Sequence, residues 1–190
     1  AGRFAQAGRL AVLVAVAVSD DPHLDLLAQL RRLDPPGAAA GADSGDAALC
    51  VVAAGGAAWL SGDAPAAERL LSTALDRLPP EHPHRWVARW FRLMNRMYTG
   101  DADGVTADTT DLLDTGQAPG WVRATAVCCS ALIMLFGGDR RCADDWVARH
   151  DRLLADAEES DGFIAYTRGE LAAGPDPAAA LAWFELAVRP

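Results

Sequence analysis

Residues 84–98, HRWVARWFRLMNRMY, carry the densest run of reactive side-chain types in this chain. Arg85, Arg89, Arg92 and Arg96 recur at i, i+4, i+7 and i+11. On a helix they share one stripe, roughly 16 Å long at helical rise. Trp86 and Trp90 form an i, i+4 pair beside it. Guanidinium forks bond carboxylate oxygens in pairs, and indole faces add broad apolar surface. Arg85, Trp86, Arg89, Trp90, Arg92 and Arg96 are therefore the candidate partner-binding residues, suited to carboxylates or an acidic peptide. Four like charges in a row repel, so anions must lie near them. Either a partner supplies these anions or the chain does, from Asp108 and Asp111 of the Asp-rich segment 101–114. In the second case the tryptophans belong to the core.

Other chemistry is thinly represented. His82-Pro83-His84 has metal-ligand residue types, but only Glu81 stands near as a third donor, so it is read as a loop. His150 beside Asp151, with Asp144-Asp145 up to two turns earlier, has the residue types of a carboxylate-oriented base; the reading preferred here is a solvated helix face. Asp101, Asp103, Asp108, Asp111 and Asp114 lack the Gly and Glu spacing of a calcium loop and read as caps and an exposed face. No nucleophile elbow or Ser-His-Asp order is found. No catalytic, cofactor or metal residue is assigned, and the chain is read as not an enzyme. Cys50, Cys128, Cys129 and Cys142 form no C-x-x-C pair. They read as reduced, buried, small apolar side chains, with a redox switch as the alternative, and they place the chain in the cytoplasm.

The elements that would position the arginine stripe announce themselves by repetition. Gly62-Asp63, Gly100-Asp101 and Gly138-Asp139 each precede an apolar-striped helix, and Gly174-Pro175-Asp176 precedes a fourth, at intervals of 38, 38 and 36 residues. Such a period marks helical-hairpin repeats. Gly closes one helix in the left-handed conformation, Asp caps the next, and Pro65 and Pro177 fit its first turn. First helices are expected at about Asp46–Ser61, His84–Thr99, Pro119–Phe136 and Ser160–Ala173. Second helices are expected at about Ala64–Leu78, Ala102–Asp114, Arg140–Ala157 and Asp176–Val188. No strand-like alternation is present, so the fold class is all-α. The expected organisation is a degenerate N-terminal hairpin over 1–33 and a flexible connector over 34–45. Four hairpins follow over 46–190, at about 46–79, 84–115, 119–157 and 160–190.

Bulk properties narrow the function. The chain has 190 residues, 51% hydrophobic, enough for a sizeable core. A net charge of −9 disfavours direct binding to nucleic acid or an anionic membrane. Leu10–Val18, after Arg3 and Arg9, has some features of a signal peptide but reads as a buried first helix. The uncharged stretch Ala124–Gly138 has 15 residues, too few to span a bilayer.

Ala67, Leu71, Ala74 and Pro79, and again Ala180, Phe184 and Ala187, give a pattern that resembles tetratricopeptide (TPR) repeats; in the second copy Val105, Thr109 and Leu112 stand where Ala, an aromatic and Ala belong. The resemblance implies a right-handed α-solenoid of antiparallel hairpins whose first helices line a concave surface. The phrases at 57–75 and 165–188 also resemble the C-terminal repeat regions of bacterial STAND-type regulators, LuxR-like and SARP-like transcription regulators among them. That resemblance implies a repeat portion of a larger protein. No P-loop exists, and without lysine none is possible. The function expected is a non-catalytic interaction or sensor segment of a bacterial signalling or transcription regulator. Its partner would be a protein, a peptide or another domain of a longer chain. Phe184 and Val188 face the place of a next repeat, so self-association through exposed repeat ends is also expected. The alternative is a small-ligand-binding or enzymatic all-α domain. An RNA-reading helical repeat is opposed by the acidic total and by the lack of repeated specificity positions.

Overall fold

The computed structural model describes residues 44–82, 84–157 and 162–188, with the side chains of 44–50 and 53 excepted. The N-terminal hairpin expected over 1–33 and the connector expected over 34–45 lie outside the described residues, except that Ser44 and Gly45, read as connector, open the first helix. All regular structure among the described residues is helical. The helices are α1 Ser44–Leu60, α2 Ala64–Arg77, α3 His84–Thr99, α4 Ala102–Asp114, α5 Gly120–Phe136, α6 Arg140–Arg149, α7 Asp151–Ala157, α8 Gly162–Ala172 and α9 Pro177–Ala187. The chain divides into two compact units, residues 1–95 and 96–190, with the division inside α3. Among the described residues no helix is long and apolar enough to cross a membrane.

Three junctions share one construction. Gly62, Gly100 and Gly138 have φ of 79°, 76° and 89°. The following aspartate amide reaches back five residues: Asp63 to the Ala58 carbonyl, Asp101 to Arg96 and Asp139 to Met134, each 2.9 Å. The glycine amide bonds the carbonyl three residues back. These are Schellman closures, in which only a residue tolerant of positive φ fits. The same aspartate then starts the next helix. Asp63 Oδ1 accepts from the Ala66 amide at 3.1 Å, Asp101 Oδ1 from Gly104 at 2.9 Å and Asp139 Oδ1 from Cys142 at 3.0 Å. One residue thus satisfies orphan groups of two helices.

The fourth junction departs from expectation. Asp176 Oδ1 caps the Ala179 amide at 3.0 Å, but Gly174 is not in the left-handed region. Pro175 follows it, and a residue before proline is pushed toward extended conformations. The helix expected over Arg140–Ala157 is also broken. His150 (φ −113°, ψ 16°) separates α6 from α7. The break coincides with the turning of Leu153 and Leu154 into the apolar cluster of Ala124, Val127, Cys128 and Ile164.

The four residues at cap+4, Ala67, Val105, Ala143 and Ala180, are all buried. In the first unit α2 packs its apolar stripe on α1. A Cβ on Gly55 would lie 2.6 Å from Leu71 Cγ, so the glycine sets the approach. The second unit repeats this crossing at its end, where a Cβ on Gly169 would lie 2.5 Å from the Phe184 ring. Between them, Ala131 packs with Ala143 and Val147. α5 is buried on nearly every side over Ala124–Ile133, which explains why that stretch is uncharged.

Candidate functional site

α3 carries the predicted arginine stripe and is antiparallel to α2. Near its start, the Arg85 guanidinium donates to the Leu75 carbonyl and, at 2.9 Å, to the Leu78 carbonyl. Near its other end, Asn95 Nδ2 donates to the Ala64 carbonyl at 3.3 Å. Arg85 therefore covers the carbonyl end of α2, where the helix dipole is negative. Its charge is spent on the fold.

Arg89 and Trp86, one turn apart, form a cation–π pair, the guanidinium carbon 5.9 Å from the ring centroid. Trp90 lies at the edge of the core. Its ring meets Trp59 of α1 edge-on at a centroid distance of 6.0 Å, and Phe91 at 4.9 Å. Trp59, Trp86, Trp90, Arg89 and Arg92 are all half-buried. The first unit thus holds an aromatic group with Arg89 beside it, and Arg92 follows one turn along the helix. Trp59 was missed in the sequence reading, although it lies in the last turn of a first helix, where a hairpin register brings α1 against α3.

Arg96 belongs to the second unit. Its Nη1 bonds Asp108 Oδ2 at 3.0 Å, and its Nε lies 3.8 Å from Asp101 Oδ2. The chain itself supplies this anion, from the Asp-rich helix, and Asp101 serves as cap and counter-charge together. Only Arg85, Trp86, Arg89, Trp90 and Arg92 are gathered in one unit.

The lesser candidates sort physically. His82 Nδ1 accepts the His84 amide at 3.3 Å, and the two rings lie 5.3 Å apart. Among the described residues no three His, Cys, Asp or Glu side chains are grouped to hold a metal. His150 is half-buried and stacks on Trp146 at 5.0 Å, while Asp144, Asp145 and Asp151 around it are exposed. Desolvation, aided by the Arg149 charge, lowers its pKa. Cys128 and Cys129 are both fully buried, but Cys142 is exposed and corrects the expectation that the cysteines are buried. A hydrogen bond to the Asp139 carboxylate, reinforced by its charge, raises the Cys142 pKa and holds it as a thiol. The Cys50 side chain lies outside those described.

No family model matches the chain, and no curated protein or solved structure matches it.

Proposed function

We propose that this chain is a non-catalytic helical-repeat segment that binds a protein or peptide, within a larger cytoplasmic bacterial signalling or transcription regulator. The observation that carries this reading is the recurrence of one junction: Schellman glycine followed by capping aspartate at 62–63, 100–101 and 138–139, with the same hydrogen bonds each time. The small residues Gly55, Ala131 and Gly169, each against the cap+8 side chain of its own hairpin, support a TPR-like crossing. Repeats built this way bury their faces by stacking, which in this reading produces a right-handed solenoid. Repeat surfaces of that kind bind extended partners and need no cofactor.

The binding surface in this reading is the α3 group, with Trp86 and Trp90 as anchors and Arg89 and Arg92 as the charges that meet a partner's carboxylates. Arg85 supports it from its internal bonds. The test uses the full chain and a labelled nona-glutamate peptide, followed by fluorescence anisotropy. Arg89→Glu with Arg92→Glu is expected to abolish binding while shifting Tm by less than about 4 °C, since half-exposed charges contribute little to stability. Binding is also expected to weaken with salt. Retained binding in the double variant removes these residues from the site. A P-loop and a helix-turn-helix encoded in the same reading frame would support the regulator assignment.

A further inference from the structure

Residues 140–157, RRCADDWVARHDRLLADA, hold no Gly, Ser or Pro, the residue types that usually kink a helix. The structure nevertheless ends α6 at Arg149 and starts α7 at Asp151. At the break the His150 amide is shared between the Trp146 and Val147 carbonyls, at 3.3 and 3.2 Å. The His150 carbonyl accepts from the Leu154 amide at 3.1 Å, so helical bonding resumes at once. Local sequence favours one continuous helix, and tertiary packing imposes the bend.

Few contacts hold the bent form. α7 has seven residues, too short to persist alone. Asp151, Arg152, Ala155 and Asp156 are exposed, and Leu153 is half-buried. Among the described side chains of α7 only Leu154 is fully buried, at 1% exposure. It packs in the cluster of Ala124, Val127, Cys128 and Ile164. The other tie is an ion pair with α8: Arg168 Nη2 donates to Asp151 Oδ1 at 3.1 Å. The Arg168 guanidinium carbon also lies 5.4 Å from the Trp183 ring centroid, so α9 steadies the arginine as well.

We propose that α7 is a strap hinged at His150, latched by Asp151 on Arg168, whose lifting uncovers the apolar seat of Leu154 with the Cys128 thiol in it. Closed, Leu154 fills the seat. Open, the bend relaxes toward the continuous helix and the seat meets solvent. Arg168 stays against Trp183, positioned to take Asp151 again. An element with so few buried contacts opens at less cost than global unfolding. Because the latch is a partly exposed ion pair, ionic strength sets how often the strap lifts. This device belongs to the second unit and does not depend on the interaction reading above.

The test uses the full chain and iodoacetamide under native conditions at one pH, with labelling read cysteine by cysteine by peptide mass spectrometry. Cys129 is equally buried but lies outside the Leu154 cluster, so it reports global unfolding. Cys142 is exposed and confirms that the reagent is active. Cys128 is expected to label faster than Cys129. Asp151→Asn should speed Cys128 by about threefold, the scale of one partly exposed ion pair, and leave Cys129 unchanged. NaCl at about 0.5 M should speed Cys128 in the native chain and have little effect on Asp151→Asn. His150→Ala strengthens the continuous helix and should also speed Cys128. Asp156→Asn makes the same charge change on the exposed side of α7 and should leave the rate as it is. Equal rates at Cys128 and Cys129 overturn the strap, since both thiols would then wait for global unfolding. An unchanged Cys128 rate in Asp151→Asn, or an equal change in Asp156→Asn, overturns the latch. A slower rate in His150→Ala overturns the hinge.

Discussion

Thr109 and Ser130 form a polar pair inside the second unit with no exposure at either side chain. Ser130 Oγ donates to Thr109 Oγ1 at 2.9 Å, and Thr109 Oγ1 donates to the Ala126 carbonyl at 3.2 Å. Thr109→Val keeps the volume and removes the relay. Its expected cost is about 1 kcal/mol by denaturant unfolding, held down because Ser130 can turn to the Ala126 carbonyl one turn back. Thr109→Val with Ser130→Ala should be no worse than the single change; strict additivity of two losses would show that the pair is not coupled. His150 makes a pH prediction. Its folded pKa is lowered, so the unfolded chain binds more protons once pH falls below the ordinary value of 6.5. The stability that His150 contributes is complete above 6.5 and declines as pH falls from there toward the folded pKa. Tm measured from pH 7.5 to 5 should therefore fall less for His150→Phe than for the native chain. Parallel profiles would refute the assignment.

Among the helices, the junctions separate two glycines that look alike in sequence. Gly62 has φ 79° and a Cβ there meets no atom within 4 Å, so the penalty of Gly62→Ala is purely conformational, about 1 kcal/mol. Gly174 is not in that region, and its Cβ would meet only the end of the Arg140 side chain at 3.3 Å. Gly174→Ala should be near neutral. Gly55→Ala fails for another reason: its Cβ would enter Leu71, so the expected cost is about 1–3 kcal/mol from overpacking. Urea unfolding of the three variants gives the order directly, and a Gly174→Ala loss equal to that of Gly62→Ala would contradict it.

For the molecule as a whole, α9 is the exception among second helices. At cap+5 the others carry Glu68, Thr106 and Asp144, and at cap+10 they carry Thr73, Asp111 and Arg149; α9 carries Leu181 and Leu186. Both are exposed, and Val188 beyond them is 80% exposed. Apolar side chains where the other copies are polar lose favourable burial unless something covers them. Self-association through this face is the expected consequence, seen as concentration-dependent sedimentation. Leu181→Glu with Leu186→Glu should reduce it while leaving Tm within a few degrees, about 4 °C at most. A native chain that sediments as a monomer at high concentration would overturn the expectation.

Helix class and junction chemistry were legible in the residues themselves because they are local. A capping aspartate bonds an amide three residues away, a Schellman glycine answers to its own φ, and an apolar stripe follows the helical period. α3 and α4 accordingly occupy the residues read for them, and Asp63, Asp101, Asp139 and Asp176 all cap. Even the Gly174 departure follows from its neighbour Pro175. What the arginines do was not legible, because spacing places them on a stripe without saying what faces it. Only packing brought the carbonyl end of α2 to Arg85, Asp108 to Arg96 and Trp59 to Trp90.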